Sequence, residues 1–131
     1  MNYSRNAIYT RVANAIKADY PNAYTTSRKV ASPAKFPAIL IHEIDRNRPI
    51  RNVQLDFQDV QYESVFEIQV VSNKANTAAS EAYDIMELAE SAMSNMYFRR
   101  FSQTNVDRGD TFTVIARFRR IIGGGDTMPT N

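Results

Sequence analysis

A chain of 131 residues with 44% hydrophobic and 23% charged residues has the composition of a single globule with one core, which excludes a disordered, collagenous or multidomain chain. A formal net charge of +2 is too small for a general polyanion binder, and the lack of cysteine excludes a disulfide framework, a thiol nucleophile and a thiolate metal site. No apolar run approaches the roughly 18 to 20 residues of a membrane span, and the polar start MNYSRNAIYTR lacks a secretory leader's apolar stretch, so no membrane partner and folding in a reducing compartment are expected.

Taken along the chain, Ile8, Tyr9, Val12, Ala13, Ile16 and Tyr20 fall in one arc at about 100° per residue. This predicts a helix over 4–19, with Ser4 as N-cap and Pro21 as the stop. YTTSRKV and AILIHEID are rich in β-branched residues and predict strands at 24–30 and 38–45, broken by ASPAKFP. RNRPIRN reads as a basic loop, and VQLDF over 53–57 as a short edge strand or part of a flap. In ESVFEIQVVSN, Phe66, Ile68 and Val70 alternate with Glu67 and Gln69, the period of a half-buried strand.

The longest regular segment follows. Ala78, Ala82, Ile85, Met86, Ala89, Ala92, Met93 and Met96 share one side of a helix over 76–97, while Glu81, Asp84, Glu87 and Glu90 occupy the other with no lysine or arginine among them. FRRFSQTNVDRGD reads as a connection, and TFTVIARFRRII alternates Phe112, Val114, Ala116 and Phe118 against Thr113, Ile115, Arg117 and Arg119 as a last strand. GGGDTMPTN reads as a flexible tail over 123–131, which leaves 1–122 as a single α+β domain. The expected architecture is an antiparallel-rich sheet of about four strands with two helices packed on it, in the order α-β-β-β-α-β.

Chemistry finds little purchase in these residues. The single histidine, His42, neighbours Glu43 in a predicted strand, where adjacent side chains point to opposite faces and form no pair. One histidine without cysteine also removes most transition-metal sites, and the methionines of the long helix read as core filling. The helix carboxylates diverge by about 60° per step, as a charged surface does and a paired acid and base does not. IGGGD lacks the following helix of a phosphate cradle, and ARFRR lacks the aromatic and glycine pattern of a ribonucleoprotein strand. No catalytic residue, cofactor or metal is expected.

VFEIQVVSNKANTAASEAYDIMELAESAM, then FRRF, then DTFTVIARFRRII resembles the strand, long helix and final strand of bacteriophage tail terminator and tail completion proteins, over about residues 60 to 122. FPAILIHEID is similar to the early strand of that family, which joins heads to tails in long-tailed phages. The resemblance implies a non-enzymatic subunit of a ring, commonly a hexamer, that ends the tail tube at the neck of the virion. Its implied partners are further copies of itself, the tail tube protein and head-tail connector proteins, with DNA only passing through the lumen after assembly in the host cytoplasm.

A ring joins one face of a subunit to a different face of the next. The acidic face with Glu81, Asp84, Glu87 and Glu90 is therefore expected to meet Arg117, Arg119, Arg120 or the loop residues Arg46, Arg48 and Arg51 of a neighbour, each exposed pair contributing about 0 to 1 kcal/mol. Simple solvation of that face, or a place at the lumen where it repels DNA, are its alternatives. Two other functions compete: a head completion or neck protein, and a small nucleic-acid-binding accessory domain whose affinity falls steeply with salt.

Overall fold

Ser4 starts the first helix as its chemistry predicts, the side-chain oxygen accepting the Ala7 N–H at 3.0 Å. In a computed structural model describing residues 3–29, 33, 35–47, 61–123 and 125–129, this helix α1 runs over Arg5–Asp19 and buries Ile8, Val12, Ala13 and Ile16. The chain continues through β1 (Tyr24–Thr26), β2 (Ala38–Asn47), β3 (Gln61–Ser72), α2 (Ala78–Asn95), β4 (Arg99–Asp107) and β5 (Phe112–Gly123). The expected α+β class holds, with both helices on one face of a single sheet of order β1-β2-β3-β5-β4.

The sheet departs from the expected one in three ways. It has five strands, and β1 pairs with β2 in parallel, so it is mixed at one edge. β1 ends at Thr26, where the expected strand ran to residue 30, because Thr26 Oγ1 accepts the Arg28 N–H at 3.1 Å and turns the chain. The supposed connection FRRFSQTNVDRGD is itself a strand, β4, paired antiparallel to β5 along nearly its whole length. The possible strand over 53–57 lies outside the described residues.

β3 and β5 form the centre of the sheet. Their inward residues Phe66, Ile68, Val70, Val114, Ala116 and Phe118 are buried under α2, whose Ala82, Ile85, Met86, Ala89 and Met93 are buried in turn. This is the alternation and the wheel that the sequence predicts. α1 covers β2 and packs against α2.

α2 ends in a left-handed residue, Tyr97 at φ 67, with the Phe98 N–H donating to the Met93 carbonyl and the Tyr97 N–H to that of Ser94. Phe98 then turns into the core, edge-on to Phe66 at 5.8 Å, and so brings β4 alongside β5. Past β5, Asp126 Oδ2 accepts from Arg120 and from the Gly123 N–H at 2.8 Å each, and Met128 packs on the core. The described part of the glycine-rich segment is tied to the domain at these points.

Candidate functional site

With both helices on one side, the other face of the sheet carries no helix among the described residues. Cross-strand register sorts its side chains into rows. One row places His42, Glu67, Arg117 and Ser102 side by side on β2, β3, β5 and β4, and another places Asp45, Val65, Arg119 and Arg99. Apolar residues remain exposed beside them, Phe101 at 46% and Ile121 at 44%.

The first row is an interaction network centred on a carboxylate. Glu67 Oε1 accepts from Gln69 at 3.0 Å and lies 3.1 Å from His42 Nε2, and Oε2 accepts from Arg117 Nε at 2.9 Å. Burial pushes the Glu67 carboxyl up, but the hydrogen bonds from Gln69, His42 and Arg117 with the Arg117 charge outweigh it, leaving the net pKa below the ordinary 4.5. A folded pKa below the unfolded one stabilises the fold above the unfolded value and loses that contribution as pH falls through the folded value. Glu67→Gln is therefore expected to be destabilised at neutral pH and to converge with the wild type as pH drops below 4.5. Urea unfolding across that range measures it, and a difference that stays constant with pH contradicts the assignment.

A second carboxylate, Glu43, lies on the helix side of the sheet, at the start of α1. Its side chain is only 2% exposed and accepts from Arg5 Nε at 2.7 Å, Arg46 Nε at 2.8 Å and Ser64 Oγ at 2.6 Å. Arg46 also donates to the Tyr3 carbonyl at 2.9 Å, which fastens the segment before α1 to the end of β2.

The charged residues singled out in the sequence divide accordingly. Glu81 accepts from Ser72 Oγ at 2.6 Å and Glu90 from Arg100 at 2.8 Å, so half of the acidic face is engaged within the chain by residues of β3 and β4. Asp84 and Glu87 are exposed and form no ion pair among the described residues. Tyr20 lies close to this acidic end. Its hydroxyl is raised above 10.0 first by burial and then by the charges of Asp84, Glu81 and Asp19.

Of the arginines, Arg46 is held by Glu43 and Arg117 by Glu67. Arg120 points to the helix side, stacked over the Tyr3 ring at 4.1 Å and the Tyr97 ring at 5.4 Å and bonded to Asp126 and the Met96 carbonyl. Arg119 lies on the open face over the Phe101 ring at 5.1 Å. Arg48 and Arg51 lie outside the described residues. Of the described members of the two sets, Asp84 and Glu87 on one side of the molecule and Arg119 on the other form no ion pair among the described residues.

Sequence reasoning missed β4. Eight of its nine residues are exposed and only Ser102 is partly buried, so it shows no alternation of apolar and polar residues. The one usable signal was the apolar pair Phe98 and Phe101 flanking two arginines right after the helix.

No protein-family model matches the chain, and no curated protein matches it. Among solved structures, a protein bearing no functional name has a TM-score of 0.51 at 14% identity, covering 95% of this chain and 94% of that one. A chain from the virion of a native gene transfer agent (GTA) particle has a TM-score of 0.48 at 12% identity, covering 93% of this chain and 99% of that one. The first likeness is one of fold, over nearly the full length of both chains.

Proposed function

We propose that this chain is a structural subunit of a bacteriophage tail, which assembles with copies of itself into a ring, commonly of six, that ends the tail tube and receives the head connector. β4 is the observation that carries the reading: the chain builds a nine-residue strand, pairs one edge of it and leaves eight residues exposed. A strand open on both faces and one edge gives a lone monomer little burial and offers a template for pairing. In an assembly the same strand is covered.

The segment that resembles tail terminator proteins corresponds to β3, α2, β4 and β5, which supports the same reading. The task of such a subunit needs surfaces, with no cofactor. Asp84 and Glu87 leave two exposed carboxylates on the helix side, and Arg119 leaves a cation on the sheet side, each open to a neighbouring subunit. An acidic wall at the lumen would repel passing DNA and keep it from adhering.

Native mass spectrometry and negative-stain imaging of the chain, alone and mixed with tail tubes, test the proposal. A closed ring of about six copies on the tube end is the expected result. A chain that stays monomeric both alone and with tubes ends the reading, and a ring that binds head connectors while ignoring tubes replaces it with a neck protein.

A further inference from the structure

We infer that the ring is held by sheet extension, β4 of one subunit adding to the free edge of β2 in the next, an inference that rests on the ring reading above. The two edges overlap over part of their length: through the cross-strand register Arg99–Gln103 of β4 lie level with residues 41–45 of β2, and Thr104–Val106 lie level with Ala38–Leu40, which β1 covers. β4 is unpaired along Arg99–Asp107 on the side away from β5. β1 covers β2 only from Ala38 to Leu40, so on the side away from β3 residues 41–47 pair with no strand among the described residues.

Direction and level also agree. Each neighbour from β2 through β3 and β5 to β4 is antiparallel, so β4 runs opposite to β2. A copy generated by rotation about an axis along the strands keeps those directions and brings its β2 antiparallel to β4, the more stable pairing. The row Asp45, Val65, Arg119, Arg99 spans the sheet from one free edge to the other. A sideways neighbour at the same level therefore sets Arg99 of one copy beside Asp45 of the next, an opposite-charge pair across the junction. Self-pairing of β4 about a two-fold axis would instead stop at two copies.

Each edge also carries one bulge, between Glu43 and Asp45 and between Arg100 and Ser102. Edge bulges that guard a monomer commonly carry charge. These leave Ile44 and Phe101 at 41% and 46% exposure, on either side of the level shared by Glu43 and Arg100, where a junction would cover both.

The absence of native cysteine makes cross-linking decisive. Within one chain, positions 45 and 99 are three strand spacings apart, about 14 Å, which is beyond disulfide reach. Under mild oxidation Asp45→Cys/Arg99→Cys is expected to give a ladder of covalent multimers up to the ring, while each single variant stays monomeric on a denaturing gel. His42→Cys/Ser102→Cys, which the other row sets at one level, is a second pair in case the first variant fails to fold. Rings of normal mass without a ladder from either pair overturn the β4–β2 junction and leave the ring intact. Covalent dimers from Arg99→Cys alone overturn it in favour of two-fold pairing, whereas neither ring nor ladder, alone or on tail tubes, ends both.

Discussion

Phe118→Ala is expected to destabilise the fold by about 3–5 kcal/mol, a fall in melting temperature on the order of 10–20 °C for a chain of this size. Phe118 is 1% exposed on the central strand β5, directly opposite Phe66, which itself meets Phe98 edge-on. Truncation removes the ring's burial and leaves a void bounded by backbone on the sheet side and by α2 above, neither of which can collapse into it. Phe101→Ala, by contrast, removes a half-exposed ring from β4 and should shift stability by no more than about 0.5 kcal/mol in the monomer. Thermal denaturation of both variants under conditions that keep the chain monomeric separates them, and similar losses would mean that the core does not lie where the sheet register puts it.

Glu43→Ala should cost about 2–3 kcal/mol, near the lower range for breaking a buried pair. The carboxylate is almost fully enclosed and serves three donors, so its loss leaves Ser64 and Arg46 without their acceptor. The cost stays below the maximum because Arg46 keeps the Tyr3 carbonyl and is partly exposed, while Arg5 is 70% exposed and rehydrates. Arg5→Ala, breaking the same network from the solvent side, should cost less than about 1 kcal/mol. Chemical denaturation of the two variants checks the order, and an Arg5 effect equal to that of Glu43 contradicts the network.

The sequence by itself determined the elements whose two sides meet different surroundings. α1, α2, β3 and β5 each place one side in the core and one in solvent, and that contrast is written as the spacing of Ile8, Val12 and Ile16, of Ala82, Ile85, Met86 and Ala89, and of Phe66, Ile68 and Val70. The α+β class follows from those segments and their order. β4 left no such mark, because a strand exposed on both faces has no period, and its pairing depends on the Phe98 anchor and the backbone of β5.

Which charges remain available was likewise decided by tertiary structure. On a helical wheel Glu81, Asp84, Glu87 and Glu90 are equivalent. In the fold Ser72 and Arg100 come from strands 9 and 10 residues away to engage the first and the last. Arg117, Arg119 and Arg120 sit within four residues of one another, yet one meets Glu67, one lies over Phe101 and one turns to the helix side between Tyr3 and Tyr97. Alternation along a strand separates neighbours by face, and only the register of the other strands says what each face holds.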